Sequence, residues 1–167
     1  MALKAEDILK EALLLEMRGK AFYKNVAEKT DSKSAKKIFE QMAAEEEVHI
    51  MFLTRQFQNY QKSKEFLKIT DFVEPKEDEL AMAVLTEDIK KEISAASFEA
   101  AAISSAIDFE AKAIELYTNR AADAIDKNEK EIYNMLAHWE DGHAKALIEL
   151  NNSLKEDIWN DNSFWPF

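Results

Sequence analysis

Residues 16–49 read EMRGKAFYKNVAEKTDSKSAKKIFEQMAAEEEVH, and residues 110–143 read EAKAIELYTNRAADAIDKNEKEIYNMLAHWEDGH. Laid over one another at an offset of 94 residues, without a gap, they place Glu16 on Glu110, Tyr23 on Tyr117, Glu46 on Glu140 and His49 on His143. Each copy is therefore Glu, six residues, Tyr, twenty-two residues, Glu, two residues, His, and two of the three histidines of the chain fall into this register. A fixed offset of this kind marks a duplicated structural unit. The apolar positions say which unit it is. Ile8, Ala12, Leu15, Phe22 and Val26 recur at helical spacing from Ala5 to Lys29, with Lys, Arg and Glu on the other face. The polar run from Thr30 to Ser34 breaks that helix, and Ser34 is placed to cap a second one that reaches Tyr60 through Ile38, Met42, His49 and Leu53. So short a connection predicts an antiparallel hairpin.

The same pattern returns further on, with a third helix over Ser97–Ile125, a turn at Asp126, Lys127 and Asn128, and a fourth helix over Asn128–Leu154. Between the hairpins, residues 61–96 carry Pro75 and a polar cluster from Lys76 to Glu79, which predicts a crossover holding one or two short helices. The expected architecture is all-α: a single domain over 1–167, with hairpins at 5–60 and 97–154, the crossover at 61–96 and an aromatic tail at 155–167. This is a four-helix bundle with one long connection. Two glycines and two prolines cannot supply the turns of a sandwich or barrel.

Composition limits the chemistry. With no cysteine, disulfides, thiol catalysis, iron–sulfur clusters and cysteine-ligated metal sites are all excluded, so His and carboxylates are the ligands left. A net charge of -11 opposes binding to nucleic acid or an anionic membrane surface. Charged residues interrupt the first twenty positions, so neither a signal peptide nor a membrane span is expected there, and the expected location is cytoplasmic.

Residues three apart on a helix share a face, so Glu46 with His49 and Glu140 with His143 are two paired presentations toward one point. Glu16 lies in line with Ile8, Ala12 and Val26, and Glu110 with Ala106 and Ala113, so both carboxylates are expected to point into the bundle. Four buried glutamates would be ruinous unless compensated, and two divalent cations bring the charge to zero with neutral imidazoles completing the shell. A single Glu-x-x-His in a charged helix is ordinarily a solvated face. Two copies in identical register, each preceded by Glu and Tyr, are not ordinary.

One Glu from each of two helices and a Glu-x-x-His from each of the other two is the ligand set of di-iron carboxylate bundles. Over residues 5–60 and 97–154 the chain resembles the ferritin-like superfamily, most closely the rubrerythrin-like diiron-carboxylate proteins. The resemblance implies that Glu46 and Glu140 bridge two metal ions, that Glu16 and Glu110 are terminal ligands, and that His49 and His143 each cap one metal. Tyr23 and Tyr117 then look like hydrogen-bond partners of the ligands. Two departures stand out. There is no cysteine for the rubredoxin iron that typical rubrerythrins append, so electrons are expected from an external donor protein. Rubrerythrins also carry an extra carboxylate three residues after the third-helix glutamate, where this chain has Ala113.

The resemblance implies two metal ions, Fe first, with Mn or a mixed pair also accepted by these ligands. It implies reduction of H2O2 or O2. Ferroxidase or iron-storage chemistry is the alternative enzyme reading, and a metal-stabilised sensor or interaction bundle the non-catalytic one. Gly19, opposite Ala113 in the repeat, suggests a small cavity over the metals. The triplet Glu45, Glu46, Glu47 reads as solvated except for its middle member, and Met17, Met42, Met51, Met82 and Met135 read as core filler. Phe52, Phe57 and Trp139 read as packing or interface residues, and His138, which has no mate in the repeat, as a surface or interface histidine. The long crossover and aromatic tail suggest a homodimer, with domain swapping among its forms.

Overall fold

The computed structural model describes residues 4–71, 79–94 and 97–160, and over them the chain forms five α-helices and no strand. The helices are α1 (Ala5–Lys29), α2 (Lys33–Ser63), α3 (Glu79–Glu92), α4 (Phe98–Asp123) and α5 (Lys127–Asn160), with a 3-10 turn at Ile69–Asp71. α1 packs along α2, and α4 along α5, as two hairpins. The crossover between them holds the 3-10 turn and α3. Pro75 and the tail residues 161–167 lie outside the described residues.

The caps correct the expected boundaries. Ser32, not Ser34, caps α2: its backbone is extended and its Oγ accepts from the Ala35 N–H at 3.0 Å. Ser34 lies inside the helix, and its hydroxyl donates to Glu92 at 2.9 Å. At the equivalent turn Asp126 Oδ1 accepts from the Glu129 N–H at 2.9 Å, so the caps obey the same 94-residue offset as the ligands. α4 stops at Asp123, and Ile125 is fully exposed. α2 and α5 run beyond Tyr60 and Leu154, since neither Gly nor Pro interrupts residues 61–63 or 155–160.

Each long helix carries an apolar stretch, then polar positions, then a second apolar stretch. One core cluster joins Tyr23, Val26, Ile38, Phe39, Ile103 and Leu147. The other joins Leu9, Phe52, Leu53, Tyr117, Ile132 and Leu136. Fully burying one such aliphatic or Phe side chain stabilises the fold by roughly 1.5–3 kcal/mol. The polar layer between these clusters contains Glu16, Glu46, His49, Glu110, Glu140 and His143, every one of them buried.

Hydrogen bonds anchor the crossover. The Glu92 carboxylate, at the end of α3, accepts from Ser32 Oγ at 2.6 Å and from the Ser34 N–H at 3.0 Å. Those bonds hold its pKa down at about 2. Ile89, on the same helix, is buried in the first core cluster. The Gln56 amide clasps the backbone of Leu67, accepting from its N–H and donating to its carbonyl. No described helix is long and apolar enough to cross a membrane.

Candidate metal centre

The expected six ligands converge from four helices within one chain. Glu16, Glu46, His49 and Glu140 form one group whose ligand atoms lie within 4.8 Å of one another. Glu46, Glu110, Glu140 and His143 form a second group by the same measure. Glu46 and Glu140 belong to both groups, while each of the other four belongs to one. Geometry thus separates two shared carboxylates from two unshared ones.

Both imidazoles turn Nδ1 inward. His49 Nδ1 lies 3.0 Å from Glu140, 3.1 Å from Glu16 and 3.4 Å from Glu46. His143 Nδ1 lies 3.4 Å from Glu140, 3.6 Å from Glu110 and 3.9 Å from Glu46. The rings stack with centroids 5.6 Å apart. The tyrosines cross between the hairpins: Tyr23 donates to Glu110 and Tyr117 donates to Glu16. Burial, then the adjacent carboxylates, pushes both phenols far above their usual range, so they remain neutral donors.

Charge is poorly balanced in this layer when protein groups alone share it. Burial and the proximity of Glu140 push Glu46 well above the usual carboxylate range. Glu110 is pushed to about 7, by burial first, against the pull of His143. Burial opposes ionisation of Glu140 as well, but the adjacent His143 and His49 imidazoles outweigh it and hold this carboxyl low. Burial likewise opposes charge on His49 and His143, and the surrounding carboxylates overcome it and raise both.

The donor set fits a pair of divalent cations. Among the described residues seven buried side-chain polar atoms have no hydrogen-bond partner, and five of them belong to Glu46, Glu110, Glu140 and His143. Buried polar atoms are normally paired, and these five share one layer. Two divalent cations would offset the four carboxylates and displace protons from the imidazoles.

Three expectations change. Gly19 does not leave a cavity: a Cβ there would stand 2.9 Å from the Phe109 ring and 3.2 Å from Glu46 Oε1. The glycine instead admits that ring against the ligand layer. A pocket lies elsewhere, among α2, α3 and α5, where Met42, Glu45, Thr86, His143 and Ala146 line about 20 Å³, room for one water-sized molecule. Nor is Glu45 solvated, because its Oε2 accepts from His143 Nε2 at 2.6 Å and its Oε1 from Gln41 at 3.0 Å. Met17 and Met51 face solvent and are not core filler; His138 is exposed.

Trp139 has a closer role than packing, stacking on the His49 ring with centroids 4.7 Å apart. Glu45 and Trp139 occupy equivalent positions of the repeat, one residue before each shared glutamate. An acid and an indole have no identity for a register search to detect. Their position beside the Glu-x-x-His was the available signal.

Compared with known families, the chain matches the family model described as Rubrerythrin over residues 7–103. That range holds Glu16, Glu46 and His49; Glu110, Glu140 and His143 lie beyond it and join them through the geometry above. No curated protein and no solved structure matches the chain.

Proposed function

This chain belongs to the rubrerythrin family, and from that premise we propose that it is a non-haem diiron-carboxylate oxidoreductase that reduces peroxide, or O2, with electrons from an external donor. The observation that carries the reading is the pair of four-residue groups sharing Glu46 and Glu140. Two iron ions held this way supply two electrons together to one small oxidant. Glu46 and Glu140 would hold both ions, Glu16 and His49 one, and Glu110 and His143 the other. Tyr23 and Tyr117 keep the terminal carboxylates from swinging. The two apolar clusters exclude bulk water from the polar layer, and the pocket beside His143 gives a water-sized molecule an approach to it.

No cysteine in these 167 residues can relay electrons, so a separate donor protein is part of the proposal, as are a cytoplasmic setting and a homodimer. The second reading is Fe(II) oxidation by O2, as in a ferroxidase. It is favoured by one feature: Ala113, buried, stands where the resemblance implies a further carboxylate. Anaerobic loading with Fe(II), followed by stopped-flow mixing with H2O2 and separately with O2, tests both. Faster oxidation by peroxide is expected. Faster oxidation by O2, with turnover beyond the bound iron, would replace this reading with the second, and failure to bind iron would overturn both.

A further inference from the structure

The repeat duplicates the ligands but not what holds them. Glu45 and Trp139 are equivalent in register, and each reaches across to the histidine of the opposite hairpin. Their chemistry differs. An ionised carboxylate only accepts, so the 2.6 Å bond to Glu45 requires the proton of His143 to sit on Nε2. Once a cation displaces the Nδ1 proton, the Nε2 proton stays directed at Glu45 and the Nδ1 lone pair is left toward Glu46, Glu110 and Glu140. The indole of Trp139 offers no acceptor group and lies nearly parallel to His49, 17° between planes, so it holds that ring by its aromatic face.

Glu45 is itself held. Its other oxygen takes the Gln41 amide, and the carboxylate is mostly buried at the edge of the pocket. A casual surface ion pair would join two flexible, hydrated side chains. Here the partner is a 4% exposed imidazole already committed to the site. Its neighbour Glu47 does make such a surface pair, with Lys20.

We infer that Glu45 is a positioning residue that fixes the tautomer and ring orientation of His143, so that the two metal positions are built unequal, one supported by a carboxylate and one by an aromatic face. The inference rests on the proposed function only in taking these six residues as metal ligands. Outer carboxylates of this kind typically change metal affinity by about 10- to 100-fold.

Titration of the full chain with Co(II), followed by calorimetry and visible absorption, separates the two questions. Wild type is expected to take two equivalents; if it takes none, the reading of the site fails before Glu45 is at issue. Given two, Glu45→Ala should weaken one equivalent by about 10- to 100-fold and spare the other. Glu45→Gln, which retains an acceptor for the Nε2 proton, should restore most of the loss, and Glu47→Ala should change neither equivalent. Unchanged binding in Glu45→Ala, or equal weakening of both equivalents in Glu45→Ala and Glu45→Gln alike, would overturn the inference. Long-range proton–nitrogen NMR of the wild-type protein loaded with Zn(II) gives a check that needs no variant. His143 should show a slowly exchanging Nε2 proton and His49 a faster one; two equally exposed protons would also overturn the inference.

Discussion

The two hairpins carry the same ligands at the same register and use them differently. In the first, Glu46 lies 3.4 and 3.9 Å from the imidazole Nδ1 atoms; in the second, Glu140 lies 3.0 and 3.4 Å from them. The closer carboxylate keeps its charge, and the more remote one is driven toward its neutral form. The first hairpin places an acid against the opposite histidine and the second an indole. Its turn is tied to the crossover by Glu92, whereas the second turn is capped by its own Asp126. The repeat keeps the buried Glu, His and Tyr residues of the polar layer and varies the groups that surround them.

The largest test of this difference is to remove one shared carboxylate at a time from chelator-treated protein at neutral pH. Glu140→Gln strips the anion that holds two buried imidazoles, and breaking such a buried pair costs about 3 kcal/mol or more. Glu46→Gln replaces a group that burial and Glu140 push toward its neutral form, and should cost less, under about 1 kcal/mol. Urea unfolding measures both, and equal costs would erase the distinction between the hairpins. Next come the hydroxyls, where the hairpins are alike. Tyr23→Phe and Tyr117→Phe each remove a donor from a buried carboxyl group and should each cost about 2 kcal/mol. A large gap between them would show that the symmetry stops short of the tyrosines.

The smallest effect concerns the turns. Glu92 has a folded pKa of about 2 against an ordinary 4.5, so its contribution to stability is present above pH 4.5 and fades as the pH falls toward 2. Thermal unfolding of wild type and Glu92→Gln should therefore differ near pH 6 and converge near pH 2. Asp126→Asn, at a cap made within its own turn, serves as the comparison. If the Glu92 curves run parallel across that range, the charge on Glu92 does not secure the first turn.

Much of this was legible in the sequence because helical spacing and a gapless repeat are both one-dimensional signals. The positions of Glu16, Glu46, His49, Glu110, Glu140 and His143 followed from register alone, as did the helices that carry them. Contacts between hairpins were not legible. That Tyr23 serves Glu110 and not its own Glu16 depends on how the two hairpins meet. Glu45 was hidden by composition, since a run of three acids on a helix resembles a solvated face until a neighbouring helix brings an imidazole to it. Gly19 misled for the opposite reason: an absent side chain suggests space, but Phe109, from another helix, fills it. The cap falls on Ser32 and not Ser34 because both serines suit the role and both hydroxyls reach Glu92, and only the Ala35 N–H, which donates to Ser32, tells them apart.

In the proposed function one chain holds two metal ions joined by Glu46 and Glu140. Anomalous diffraction at the iron edge, from crystals grown with Fe(II) under anaerobic conditions, locates those ions. Two peaks per chain are predicted, one beside His49 and Glu16 and one beside His143 and Glu110, with Glu46 and Glu140 touching both. A single peak, or two peaks that do not share these glutamates, would overturn that arrangement.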